Sequence, residues 1–161
     1  FFASDHMSGI EILSEVAILF EYDGILFKAL IDKIKIDEKT STVTGLDLKS
    51  TKNAPSNFFI NYTYVQEEGM IRTREYGGDY VNYQYYIQEY LYRIAIRSFM
   101  DKNGLSDYEL DFKFAVVENQ APFRSSFTHS NIGWKHIAKI EMDSACENIK
   151  QFINRKGYGD L

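Results

Sequence analysis

The chain is poor in the residues that staple or punctuate small folds: one cysteine, Cys146, and two prolines in 161 residues. A single thiol excludes an internal disulfide, a cysteine-rich zinc site and a four-cysteine iron–sulfur cluster. So few prolines, with no low-complexity tract and no internal repeat, leave no evident linker, and one domain spanning residues 1–161 is the default expectation. No uninterrupted apolar stretch is long enough to span a bilayer, and no signal-peptide pattern opens the chain. A cytoplasmic location with no membrane partner is therefore expected. A surplus of positive charge is missing too: 18 Lys and Arg stand against 23 Asp and Glu, a net charge of −5. Proteins that grip nucleic acid through its phosphates usually carry a basic surface. Such a partner would have to be met by a local basic path, and an acidic metal site would add negative charge that its cations neutralise.

What the chain does have is apolar and aromatic bulk. Hydrophobic residues make up 45% and aromatic residues 16%, including 12 Tyr and 12 Phe, enough for a globular core. Residues Ile10–Phe20 and Ile25–Ile36 read as strands joined by a turn at Asp23-Gly24, and Val43–Lys49 as a third strand after the polar turn Asp37–Thr42. Pro55 opens a short helix through Phe59. Residues Asn61–Glu75 favour neither state. Beyond Gly77-Gly78 comes the clearest helix, Tyr80–Met100, apolar or aromatic nearly all round and so expected to be largely buried. Asn103-Gly104 ends it. Alternating Leu110, Phe112, Phe114 and Val116 predict a strand. A last amphipathic helix carries Met142, Ala145, Cys146, Ile149, Phe152 and Ile153, with Gly157 as its stop. The order predicts an α/β or α+β domain: a central mixed β-sheet flanked by helices.

The chemistry concentrates in Ile31-Asp32 and Gly45-Leu46-Asp47-Leu48-Lys49-Ser50-Thr51. Asp47 and Lys49 are two apart on a strand and share a face, with Leu48 turned the other way toward apolar packing. A turn centred on residues 37 to 42 sets Asp32 directly opposite Asp47, with Cβ atoms roughly 5 Å apart. Like charges so placed repel. A proton, a lysine or a divalent cation could compensate, and oxygen ligands of this kind suit Mg²⁺, which keeps waters and substrate phosphates. Lys49 beside the pair could then orient or activate a water for attack on phosphorus. A one-residue slip of register would move Asp47 to the other face. Taken alone, the same residues also read as ordinary edge carboxylates and a surface lysine.

Their surroundings resemble a known family. Ile31-Asp32 with Leu46-Asp47-Leu48-Lys49-Ser50-Thr51 looks like the paired motif of RecB-like nucleases of the PD-(D/E)xK superfamily. Lys52-Asn53-Ala54-Pro55-Ser56-Asn57-Phe58 resembles the continuation in exonuclease VIII-like (RecE-type) proteins. Gln88-Glu89-Tyr90-Leu91-Tyr92 matches their QxxxY motif, with Gln88 and Tyr92 on one helix face. Val116-Val117-Glu118, Ala121-Pro122-Phe123 and Arg155-Lys156-Gly157-Tyr158 look like the C-terminal half. Two departures stand out: Ile31 replaces the proline common before the first Asp, and an upstream helix with a family histidine is not recognisable, His6 fitting poorly. The opening at Phe1 rather than Met is in keeping with a fragment lacking an N-terminal helical segment.

The resemblance implies a restriction-endonuclease-like core and an Mg²⁺-dependent exodeoxyribonuclease, with Mn²⁺ as a substitute. Asp32, Asp47 and Lys49 would be catalytic. Asp32, Asp47, the Leu48 carbonyl and Glu15 would hold the metal, with Glu11 and Glu21 as competitors of Glu15. Gln88, Tyr92, Ser50, Thr51 and Lys52 would meet substrate. It further implies 5′-to-3′ digestion from duplex DNA ends, recombination in a phage or bacterial cell, a single-strand annealing partner and a homo-oligomeric ring. A restriction-type or repair endonuclease of the same superfamily, or a non-catalytic DNA- or protein-binding module derived from it, are the alternatives. Elsewhere, His129 and His136 lack the spacing and company of a zinc pair, and Ser125-Ser126 has no nucleophile-elbow context. Arg72 and Arg74 could touch phosphates or be simple solvated charges.

Overall fold

The computed structural model describes residues 9–52, 55–67, 70–128 and 132–156, with backbone only over 60–76 and at 132 and 156. His6, His129, Gly157 and Tyr158 lie outside these residues. Among the described residues seven strands and three α-helices follow in the order β1 (Ile10–Tyr22), β2 (Ile25–Asp37), β3 (Thr42–Thr51), β4 (Ile60–Glu67), β5 (Met70–Gly77), α1 (Asp79–Asn82), α2 (Tyr85–Lys102), β6 (Glu109–Glu118), β7 (Ser125–Thr128) and α3 (Ile132–Lys156). Five strands form one mixed sheet in the order β1-β2-β3-β6-β7, parallel only between β3 and β6. Helix α2 crosses one face of that sheet, touching β1, β2, β3 and β6, and α3 packs on α2. This is the mixed, helix-flanked sheet expected from the sequence.

The two N-terminal turns follow from local chemistry. Asp23 and Gly24 both take positive φ, +51° and +73°, as a two-residue hairpin loop between right-twisted strands requires. At the next turn Asp37 Oδ1 accepts from the backbone N–H groups of Lys39 and Thr40, the local bond by which Asp starts a turn. The resulting register pairs Asp37 with Thr42 and Lys33 with Leu46, the alignment expected from the turn position.

Apolar alternation then puts Ile18 and Phe20 of β1, Val43 of β3 and Phe112, Phe114 and Val116 of β6 beneath α2, all buried. In β2 the alternation changes phase. Ala29 and Ile31 point inward, and so do Ile34 and Ile36, so one extra residue is absorbed between them. Strand β1 does the same at the same level, where Glu15 adopts φ +52° and falls out of the ladder between the pairs Ser14–Lys33 and Val16–Ile31. The matched kinks keep the two strands in register while bending the hairpin at Asp32.

Three expectations need correction. The helix read over Tyr80–Met100 is two helices, because Gln84 takes the left-handed conformation, φ +56° and ψ +33°, between α1 and α2. Nor is it largely buried: Tyr83 is 66% exposed, and only Tyr86, Glu89, Ala95, Ile96 and Met100 of α2 are buried. The Pro55 segment is a single 3-10 turn, Pro55–Asn57. The ambiguous stretch is the antiparallel hairpin β4–β5, a separate two-stranded sheet. Among the described residues no helix is long and apolar enough to cross a membrane.

Candidate active site

The catalytic candidates gather where β2 and β3 separate. Their ladder stops at Lys33–Leu46, one step short of Asp32 and Asp47, while β3 continues in parallel pairing with β6 through Thr51 and Glu118. The fork frees the Leu48 N–H from main-chain pairing with β2, and Asp32 Oδ2 accepts it at 2.7 Å. Asp32 thus caps the open edge instead of facing Asp47 within a closed ladder. Leu48 itself does not turn toward apolar packing, as the alternation implied. It is 61% exposed on the sheet face away from α2, because alternation fixes which residues share a face and not whether that face is covered.

Asp47 and Lys49 project under α2. Close approach of the helix depends on Gly45, where a Cβ would stand 2.3 Å from Ile96 Cδ1 and 2.8 Å from Phe112 Cδ2. Gln88 is thereby brought over the strand. Its Oε1 accepts from Lys49 Nζ at 2.8 Å, while its Nε2 donates to the Tyr92 hydroxyl at 2.8 Å and to Asp47 Oδ1 at 3.4 Å. An ammonium only donates, so the amide oxygen must face Lys49, and that fixes the nitrogen toward the two acceptors. Asp47 is 4% exposed. Its Oδ2 is buried and accepts no well-aligned hydrogen bond among the described residues, although Lys49 Nζ stands 2.5 Å away as an ion pair. Burial pushes the Asp47 carboxyl above its ordinary range; Lys49 pulls it back, and the nearby charge of Asp32 adds to the rise.

Asp32, Asp47, Lys49, Gln88 and Tyr92 therefore meet in one place. The other candidates do not join them. Glu15 is exposed at the β1 kink, level with Asp32 in register. Ser50 and Lys52 are exposed, and Ser50 shares the outer face of β3 with Leu48. Thr51 is 3% exposed, and its hydroxyl donates to Asp79 Oδ2 at 2.5 Å.

Two residues near the site, Asp79 beside Thr51 and Tyr85 beside Lys49, went unrecognised in the sequence. Asp79 escaped because it stands just before the helix segment, in the first turn of α1. Tyr85 carries its ring to 4.3 Å from Lys49 Nζ, and in sequence it is one tyrosine among many in a helical pattern. The signal that could have marked this region is the phase change of apolar residues across Ile31-Asp32-Lys33-Ile34, which announces a kink at the first carboxylate.

Among the described residues no three His, Cys, Asp or Glu side chains come together as a closed metal cage. What the fork offers is two carboxylates, one of them with a buried and poorly satisfied oxygen, beside an open strand edge. That donor set fits a hard cation of the Mg²⁺ type, which takes one or two protein carboxylates and completes its shell with water and phosphate.

No family model matches the chain, and no curated protein matches its sequence. Among solved structures, the chain is similar to that of a "putative exonuclease" from Eubacterium rectale, with a TM-score of 0.54 and 17% sequence identity. The match covers 92% of this chain and 47% of the other, so the chain spans about half the length of that neighbour. At this identity the likeness shows a shared fold.

Proposed function

We propose that this chain is a metal-dependent deoxyribonuclease of the PD-(D/E)xK type. The observation that carries the proposal is the pairing of a buried, under-satisfied carboxylate, Asp47, with a lysine held beside it by a glutamine and with a second carboxylate at the same strand fork. Buried carboxylates in a core are usually fully hydrogen-bonded; Asp47 Oδ2 has the Lys49 ion pair and no further hydrogen bond among the described residues, which leaves it capacity for a cation. The likeness of fold to the Eubacterium rectale protein supports the same reading.

In this mechanism Asp32 and Asp47 would hold Mg²⁺, or Mn²⁺ in its place. The Leu48 carbonyl, on the strand edge to which its N–H also points, would be a third protein ligand, with Glu15 as a further candidate. The cation supplies Lewis acidity toward the scissile phosphate and the departing oxygen. Lys49 orients the attacking water and stabilises charge on the phosphoryl oxygens. Gln88 sets the Lys49 ammonium, and Tyr92 sets Gln88. Ser50, Thr51 and Lys52 continue the strand toward the substrate backbone. DNA is the substrate, taken from duplex ends in the 5′-to-3′ direction. A role in phage or bacterial recombination beside a single-strand annealing protein, a ring assembly and a cytoplasmic setting extend the same proposal.

The test is cleavage of linear duplex DNA with Mg²⁺, beside Lys49→Ala and an EDTA control. We expect cutting that needs both the metal and Lys49, with the variant slower by at least about a hundredfold. A closed circle left intact marks an end-dependent enzyme, whereas a nicked or linearised circle marks the restriction-type or repair alternative. No cleavage by a folded protein overturns the enzyme reading and favours a binding module, the reading to which the net charge of −5 lends some weight.

A further inference from the structure

We infer that Tyr85 is a positioning residue that holds the Lys49 ammonium through its ring face, an inference that takes its functional meaning from the reading of Lys49 above. Three groups support Lys49 Nζ: Asp47 Oδ2 at 2.5 Å, Gln88 Oε1 at 2.8 Å and the Tyr85 ring centroid at 4.3 Å, with the Phe114 ring farther off at 5.8 Å. The first two supports are oxygens, and a hard cation entering beside Asp47 competes for oxygens. An aromatic face attracts an ammonium through its quadrupole and offers Mg²⁺ no ligand. Of the three, the ring is therefore the hold on Lys49 that a metal bound at Asp47 does not weaken.

The ring is built in. It stacks on Phe58, centroids 5.8 Å apart and planes at 17°, and tilts against Phe114 at 6.1 Å. Phe58 is 1% exposed and Phe114 fully buried, so the surface under Tyr85 is rigid core. Tyr85 is also the first residue of α2, immediately after the left-handed Gln84. A non-glycine residue persists in that region only where its surroundings over-determine it. Here the break between α1 and α2 turns the first residue of α2 onto Phe58 and over Lys49. A continuous helix through Gln84 would carry that ring elsewhere.

Two measurements decide it. The first is a double-mutant cycle on the metal-free protein, with urea unfolding of wild type, Tyr85→Leu, Lys49→Met and the double variant. A ring–ammonium contact at a partly desolvated site predicts non-additivity of about three- to thirtyfold in the unfolding equilibrium constant. Effects that add within about twofold overturn the inference, whether or not the protein cuts DNA. The second is steady-state cleavage. Tyr85→Leu should lower kcat about ten- to hundredfold with little change in KM, the signature of a misplaced group rather than lost binding. Tyr85→Phe keeps the ring face and should recover most of that loss. If wild type and Tyr85→Leu cleave alike, the positioning role falls while the nuclease reading stands. If wild type does not cleave at all, the nuclease reading falls, and the cycle alone decides whether the ring holds the lysine.

Discussion

Asp47 and Glu89 are both buried beside α2, 4% and 1% exposed, yet their surroundings treat the charge differently. Glu89 has a partner on each oxygen: the Tyr80 hydroxyl donates to Oε2 at 3.0 Å, and Arg93 Nε donates to Oε1 at 2.8 Å. Arg93 is itself anchored over the Phe112 ring. Asp47 has Gln88 at a long 3.4 Å on one oxygen and a poorly aligned lysine on the other. Asp47 belongs to β3 and Glu89 to α2, and both are buried to a similar degree. One is finished as a structural brace between α1, α2 and β6, and the other is left short of partners. Burial alone does not tell the two carboxylates apart; the completeness of their bonding does.

The contrast can be broken most forcefully at the brace. Arg93→Met leaves Glu89 buried with only a hydroxyl, and should cost about 3–5 kcal/mol in urea unfolding. A loss below about 1 kcal/mol would mean that Glu89 finds water or a proton cheaply, and the two sites would no longer differ in kind.

Next in size is the response to cation. Mg²⁺ at a hundred times its dissociation constant should stabilise the wild type by about 2.7 kcal/mol, read as a rise in Tm, and should do so far less in Asp47→Asn. An equal rise in both would place the ion somewhere other than the fork. The same variant sharpens the comparison through pH. Burial raises the Asp47 carboxyl, so the folded state prefers its protonated form. The penalty is absent below the ordinary value of 3.8 and grows as pH climbs from there through the folded pKa. Metal-free Asp47→Asn should therefore gain on the wild type as pH rises across that window, and a constant difference would show that the charge is not penalised.

The smallest effect belongs to a third acidic group, Glu118, to which Arg124 donates from Nε at 3.0 Å and Nη2 at 3.2 Å. That partner holds the Glu118 carboxyl below its ordinary 4.5. The stability it contributes is complete above 4.5 and fades as pH falls through the folded value. Glu118→Gln should flatten the acid limb of the stability profile slightly, since the exposed guanidinium is screened by solvent. An unchanged limb would assign the pair no role in stability.

Much of this site was legible in the chain. The register of β2 on β3 follows from Asp37 and the polar turn, and it brings Asp32 level with Asp47 at the fork. The spacing of Gln88 and Tyr92 put both on one helix face, where they now share a hydrogen bond. The parts that stayed hidden are set by contacts between distant segments. Gln84 has no local reason to be left-handed; the stacking of Tyr85 on Phe58 and Phe114 accounts for it. Strand β7 is four residues long at a sheet edge, too short for alternation to show. Strands β4 and β5 pair with each other in a separate two-stranded sheet, a pairing that no Asn-Gly or Asp-Gly turn signal in the sequence between them announced.

The parallel junction of β3 with β6 also has a consequence for the order in which the molecule assembles. The hairpins β1–β2 and β2–β3 join neighbours along the chain and can close within microseconds. The junction must instead draw together Thr42–Thr51 and Glu109–Glu118, with β4, β5 and both parts of the helical layer strung between them. Ordering so long an intervening segment before any reward arrives makes that closure slow. The two aspartates are thus neighbours early, and the lysine's restraints from α2 come late. A nascent chain would bring the two carboxylates together well before Lys49 meets Gln88 and Tyr85.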